Sequence, residues 1–300
     1  MRREASAPQE RSPLQTGPRI ASASGLEPGD RRNKREYALM SAAAVLLCSV
    51  YFAFSRFDAT ASQILILGPV LLLFASDFRY MTRIEGRPVG RLLPFSLLLF
   101  ALSWGLEATC VRAGLYAYGP SLLGTVRFGS VPLLIPSMWV LFCWLAASVV
   151  HFLSGGEVRG RRPPLIAESL ASAAVLTAIA LVIEWHFSSA MGIWSWTTQE
   201  GGWTIDGVPA VNFLLWFAVG AASPFLQRAV RTPQISYRTR VPVLKALPVI
   251  GFGVVLAAAM GLNWAKGFRS AALANGLSLV LLLAAAARRE VQARRSRLSG

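Results

Sequence analysis

Eight separate runs of about 16 to 23 mainly apolar residues punctuate this chain, and their lengths restrict it to one class of fold. Each is close to the length of helix that crosses a hydrocarbon core of roughly 30 Å. The runs are Tyr37–Phe57, Ala61–Ser76, Leu92–Val111, Val131–Leu153, Leu165–Phe187, Pro209–Gln227, Val243–Asn263 and Ser270–Ala287. Lipid offers no partner to a backbone N–H or C=O, so such runs span as helices whose hydrogen bonds close internally. The second run is short and contains Gly68-Pro69, a break that neighbouring helices can satisfy. A soluble domain carries roughly 25% charged residues. Here only 15% are charged and 54% are hydrophobic, with a mean hydropathy of +0.49, which leaves too little polar material for a solvated shell. The expected architecture is an all-α polytopic membrane helix bundle of about eight transmembrane helices.

A net charge of +15 could instead signal nucleic acid. Topological charge makes a different prediction: Lys and Arg should gather on the cytoplasmic face. With the N-terminus inside, segments 1–36, 77–91, 154–164, 228–245 and 288–300 hold 8, 4, 3, 5 and 5 of the 30 Lys and Arg. Arg56, Arg112, Arg127, Lys266 and Arg269 remain outside. Every internal segment obeys the bias, so the charge reports orientation and no nucleic-acid partner is expected. The expectation is a multi-pass protein of the cell (plasma) membrane with both termini cytoplasmic. Residues 1–36, rich in Ser, Pro, Gly and Arg, read as a disordered basic tail, residues 37–287 as the transmembrane domain, and 288–300 as a second basic tail. The first apolar run is long and more spans follow it, unlike a cleavable signal peptide. Cys48, Cys110 and Cys143 are isolated in apolar runs and indicate neither a disulfide framework nor a metal site.

The two longest external segments, 112–130 and 188–208, read as copies of one another. In the first, Glu107 is followed by Gly114-Leu115-Tyr116-Ala117-Tyr118, then Val131-Pro132, then Trp139. In the second, Glu184 is followed by Gly192-Ile193-Trp194-Ser195-Trp196, then Val208-Pro209, then Trp216. Glu to first aromatic is 9 against 10 residues, second aromatic to Pro 14 against 13, and Pro to Trp 7 in both. Both copies run out of the cytoplasm and back. This is a parallel repeat, relating the third and fourth spans to the fifth and sixth about an axis along the membrane normal. Repeat interfaces are where membrane proteins often build their sites. The repeat also places Glu107 and Glu184 at similar depth.

A carboxylate within an apolar span is penalised, by about 2.5–3.5 kcal/mol for Asp at mid-bilayer and less near the interface. Such a residue turns toward the bundle interior, where desolvation favours the neutral form of a carboxyl, and a neutral carboxyl is a competent general acid. Glu107 and Glu184 are the candidates for that role; a Glu wetted by headgroup water is the plainer alternative. Tyr116, Tyr118, Trp139, Trp194, Trp196, Trp203 and Trp216 crowd the same external end. An aromatic belt would explain rings at both interfaces, whereas all nine Trp avoid the cytoplasmic connections. Aromatic faces can hold a developing cation or a flat apolar ligand. Asn212, one turn into the sixth span, is an amide at membrane depth that needs a partner. His186 and Asp206 are further proton carriers or simply solvated interfacial groups. His151, at the cytoplasmic end, reads as structural. Gly253, Ala257 and Gly261 form a small-residue ladder of the kind that packs helices closely. Gly251-Phe252-Gly253 lacks the strand and third glycine of a dinucleotide fingerprint.

Other membrane chemistries fit poorly. Two histidines cannot supply a histidine-rich di-iron site, no aspartate-rich pair suits a magnesium diphosphate, and no span carries a central lysine for retinal. Cofactor-free acid–base chemistry on an apolar substrate remains, or a non-catalytic membrane role.

Glu107, Gly-Leu-Tyr-Ala-Tyr-Gly (114–119), Val-Pro-Leu-Leu-Ile-Pro-Ser-Met-Trp (131–139), Trp-Ser-Trp (194–196) and Gly-Val-Pro-Ala-Val-Asn-Phe-Leu-Leu-Trp (207–216) resemble the carotenoid biosynthesis membrane family. Its best-known members are carotenoid 1,2-hydratases, including bisanhydrobacterioruberin hydratases. The resemblance covers about residues 37–287 and is most specific in its second block. Where the family tends to carry Asp-Pro ahead of Trp-x-Trp, this chain has Glu184 followed by Trp185-His186. The resemblance implies addition of water to the terminal C1–C2 double bond of an acyclic carotenoid end group. It implies no metal, redox or nucleotide cofactor, with Glu107 and Glu184 catalytic. Tyr116, Tyr118, Trp139, Trp194, Trp196, Asn212 and Trp216 would surround the substrate. The acyclic carotenoid and the lipid bilayer are the implied partners, with other carotenoid biosynthesis enzymes as further ones. A cyclase or isomerase of the same end group, or a protein that only binds or transports an apolar isoprenoid, are the competing readings.

Overall fold

The structure, a computed structural model, describes residues 90, 92–120, 126–154, 163–185, 187–188, 192–197, 202–230 and 242–298. The tail at 1–36, the first two expected spans and His186 lie outside the described residues. The other six expected spans are helices: α1 (Leu93–Arg112), α2 (Leu134–Leu153), α3 (Leu165–Trp185), α4 (Ala210–Ala229), α5 (Pro242–Ala265) and α6 (Arg269–Leu298). At 1.5 Å per residue the 20-residue helices reach about 30 Å, one hydrocarbon thickness. Five of the described helices are long and apolar enough to cross a membrane, and Val249–Ala265 adds a shorter apolar stretch. Their outer faces carry exposed Leu97, Leu214, Leu273, Leu277 and Leu281. Leucine rows of this kind are costly in water and belong against acyl chains. This is a membrane protein.

Among the described spans α2 is the most deeply buried, with Trp139, Cys143, Ala146 and Val150 packed inward. α3 and α4 form a tight antiparallel hairpin, tied at the end remote from Glu184 by Arg228, which donates to Glu168 Oε2 (2.5 Å) and to the Pro163 carbonyl (3.0 Å). α5 buries Val249, Phe252, Leu256, Ala259 and Asn263, a three–four spacing that makes one helical stripe. The expected ladder of Gly253, Ala257 and Gly261 is not this seam. Ala257 and Gly261 are exposed, and a Cβ on Gly261 would meet nothing within 4 Å. Phe252 and Leu256, each one position before a ladder residue, bury more apolar area and take the packed face.

Two boundaries differ from the expectation by more than two residues. The fourth span begins at Leu134, because Val131-Pro132 belong to a short strand, β3, paired with β2 (Arg127–Phe128). The last helix runs past Ala287 to Leu298. Its Arg- and Ala-rich continuation consists of good helix formers and adds an i,i+4 pair, Arg294 to Glu290 at 3.1 Å.

The parallel repeat is visible in three dimensions. β1 (Tyr116–Tyr118) pairs antiparallel with β4 (Trp194–Trp196), its own copy, in the register Tyr116↔Trp196, Ala117↔Ser195, Tyr118↔Trp194. Exchanging each residue for its counterpart reproduces that register, which is the signature of a two-fold axis between Ala117 and Ser195. The flanking bonds obey the same exchange: Gly119 N–H donates to the Ile193 carbonyl (2.9 Å) and Thr197 N–H to the Leu115 carbonyl (3.0 Å). Gly119 lies so close to the Gly192 carbonyl that a Cβ would strike it. Each copy also has a two-residue hairpin, β2–β3 and β5–β6 (Thr204–Ile205, Val208–Pro209). The second turns through Asp206 and Gly207, both at positive φ (49° and 84°), the geometry that selects Asp-Gly.

Candidate active site

Glu107 lies near the C-terminal end of α1 and Glu184 at that of α3; Trp139 and Trp216 lie in the second turns of α2 and α4. In each copy the Trp indole donates to the carboxyl 32 residues before it: Trp139 Nε1 to Glu107 Oε1 at 2.7 Å, Trp216 Nε1 to Glu184 Oε1 at 3.0 Å. The two indoles meet across the two-fold axis with ring centroids 4.1 Å apart. One helix–helix arrangement, used twice, thus brings two Glu–Trp pairs together at one end of the bundle.

The β1–β4 ribbon covers this end. Strand residues alternate in direction, so Ala117 and Ser195 face out while Tyr116, Tyr118, Trp194 and Trp196 face the helices. Tyr116 packs edge-on against Trp196 at 5.0 Å and against Tyr118 at 5.5 Å. Both phenols donate to Glu107 Oε2, Tyr118 from 2.5 Å. Burial, and then the adjacent Glu107 charge, push both phenols far above their ordinary range. They are therefore fixed donors.

The copies differ in what surrounds their carboxyls. Glu107 accepts three hydrogen bonds shared over both oxygens. Glu184, only 2% exposed, accepts at Oε1 from Trp216, and among the described residues its buried Oε2 has no partner. The Asn212 amide and Trp194 indole face this carboxyl, yet Asn212 Nδ2 and Trp194 Nε1 stop short of hydrogen-bond geometry and are unpaired, as is Trp196 Nε1.

The two glutamates and the seven residues expected around the substrate line one cavity of about 50 Å³. Ile135, Met138, Phe142 and Ile183 complete its wall. Sequence reading missed these four because aliphatic and Phe side chains are unremarkable in an apolar span. The only available signal was that Ile135, Met138, Trp139 and Phe142 fall on one i, i+3, i+4, i+7 stripe of the helix. The sequence model of the family described as Carotenoid biosynthesis protein matches residues 61–283. The chain belongs to that family. No curated protein and no solved structure matches it. The matched stretch of this carotenoid biosynthesis protein includes both Glu–Trp pairs, the ribbon and the aliphatic wall.

The remaining candidates stand apart from the cavity. Asp206 accepts the Ala271 N–H at Oδ2 (3.0 Å), capping the first turn of α6 from a distant hairpin, while its carbonyl accepts from Trp185 Nε1 (3.1 Å). It is a structural clip in this carotenoid biosynthesis protein, not a proton carrier at the cavity. Trp203 is 80% exposed at the second hairpin. His151 is buried near the far end of α2, about 18 Å along the helix from Trp139. Among the described residues, no three His, Cys, Asp or Glu side chains converge as a metal site would require.

Proposed function

We propose that this carotenoid biosynthesis protein is an enzyme, a cofactor-independent hydratase that adds water to the terminal C1–C2 double bond of an acyclic carotenoid end group. The observation that carries the reading is the meeting of two carboxyls and a wall of aromatic rings in one small cavity of an apolar bundle. Hydration needs a proton at C2, a tertiary cation at C1 and a water to capture it. Glu107 and Glu184 are the acids within reach of a group held there. The faces of Tyr116, Trp139, Trp196 and Trp216 would attract the cation, and a site with little water makes that attraction stronger. A cavity of about 50 Å³ takes a few waters or the tip of a chain. The polyene would extend among the leucine-rich helices, with lipid and other carotenoid biosynthesis enzymes as its surroundings.

A cyclase or isomerase would form the same cation and lose a proton instead. The unpaired donors of Asn212 and Trp194 favour capture of an oxygen nucleophile, which neither of those reactions uses. Expression in a host that accumulates lycopene tests the reading. The expected product is heavier than lycopene by one water. A new product of unchanged mass would mean cyclisation or isomerisation, and no product at all would mean a binding or transport role.

The charge bias supports a plasma-membrane protein with cytoplasmic termini and the cavity near the outer face. Ser130, exposed on the first hairpin, reports this. Ser130→Cys is expected to react with a membrane-impermeant thiol reagent in intact cells. Labelling only after the membrane is opened would reverse the orientation.

A further inference from the structure

The two-fold scaffold holds unlike chemistry in its two halves. We propose that the carboxyls divide the work: Glu184 is the proton donor, and Glu107 stays ionised as a fixed counter-charge to the cation. This rests on the hydration reading above and assigns its roles.

The frame is common to both halves, since Glu107 and Glu184 each accept from the Trp of the following helix. The divergence lies in the residues around that frame. Tyr116 and Tyr118 in one copy are Trp194 and Trp196 in the other, and Ile135 is replaced by Asn212, each four residues before the shared Trp. The phenols both donate to Glu107 Oε2, and Trp139 donates to Oε1. An ionised carboxyl is an acceptor only, and three donors spread over both oxygens match that state. Trp194 and Trp196 do not bond Glu184 in this way, so Oε2 remains buried and unpaired among residues of the same cavity. A proton on that oxygen displaces nothing. Asn212 Nδ2 and Trp194 Nε1, on residues more than nine-tenths buried, are unpaired donors beside it. Two donors and one carboxyl oxygen are what a single water needs: it accepts from the amide and indole and gives its own proton to the carboxylate.

The steps balance with one carboxyl. The Glu184 O–H bond breaks as a C–H bond forms at C2, and the alkene electron pair leaves a cation at C1. Water held by Asn212 and Trp194 releases one of those two hydrogen bonds and bonds to C1 through the freed lone pair of its oxygen. Its proton passes to the Glu184 carboxylate, which is restored, and one water has been added. Glu107 takes part in no bond change. Asn212 is a positioning residue.

Rescue by a small acid in purified protein, with hydrated product as the readout, separates the two roles. Glu184→Ala is expected to lose about a thousandfold in rate, within the usual range for a missing general acid. Added formate, filling the space left, is expected to restore at least about tenfold of that loss. Glu107→Gln keeps one of the two acceptor oxygens but not the charge; it is expected to lose about 10–100-fold, the size of a lost electrostatic contact, with no response to formate. The assignment is overturned if Glu184→Ala keeps more than about a tenth of the rate, if Glu107→Gln falls as low as Glu184→Ala, or if formate restores neither variant. A wild-type protein that makes no hydrated product would overturn the hydration reading itself. Product from the wild type with the opposite variant pattern would overturn only the division of roles.

Discussion

Glu107→Leu is expected to lower the melting temperature of the detergent-solubilised protein more than Glu184→Leu, although the two glutamates are counterparts in the repeat. Removing Glu107 strands the Tyr116 and Tyr118 hydroxyls and the Trp139 indole N–H, all of which donate to it. Each buried donor left without an acceptor costs about 1–3 kcal/mol. Partial relaxation of Tyr118 toward solvent reduces the total, so about 3 kcal/mol or more is the expected loss. Glu184→Leu strands only Trp216 Nε1 and also removes the unpaired Oε2, for a loss of about 1–2 kcal/mol. Thermal unfolding followed by tryptophan fluorescence compares them directly. Equal melting temperatures would show that the three donors do not depend on Glu107.

Gly220→Val is expected to cost both stability and activity from a position outside the cavity. A Cβ at Gly220 would sit 2.6 Å from Ala173 Cα and 2.9 Å from the Ser172 carbonyl oxygen. Those are backbone atoms and cannot turn aside, so α3 and α4 must separate. Overpacking of this kind costs about 1–3 kcal/mol, occasionally more. The same two helices carry Glu184 and Trp216, joined at 3.0 Å, and a displacement of about 1 Å in a catalytic group can cost about a hundredfold in rate. Gly253→Ala is the control, because its Cβ would meet only the flexible ends of Leu282 and Leu279 at 3.6 and 3.8 Å. It is expected to leave unfolding and product formation unchanged. A Gly220→Val protein that is as stable and as active as the control would mean that the close helix crossing is not required.

The repeat was legible because covalent spacing survives in a sequence. Glu107 to Trp139 and Glu184 to Trp216 have the same separation, and helices of one length returned through similar turns bring both pairs into contact. Gathering all nine candidate residues at one cavity followed from that symmetry. Asp206 was not legible in the same way. Its partner, the Ala271 N–H of α6, lies on a different hairpin, and no local pattern reveals a cap supplied from so far along the chain. The Gly253, Ala257 and Gly261 ladder misled for a related reason. Small residues permit close packing, but which stripe of α5 faces its neighbour depends on the competing Phe252, Leu256 and Ala259 stripe.

By itself the sequence determined the membrane class, the six helices among the described residues and the doubling of one helical hairpin, because span length, hydropathy and repeat spacing are one-dimensional properties set by the thickness of a bilayer. Only the tertiary structure decided that the two copies close on each other through β1 and β4, and that the duplicated glutamates are unequal. That inequality depends on whether a phenol or an indole extends far enough to meet a particular carboxyl oxygen. Reach and direction of this kind come from packing in three dimensions, and aligned residue letters do not contain them.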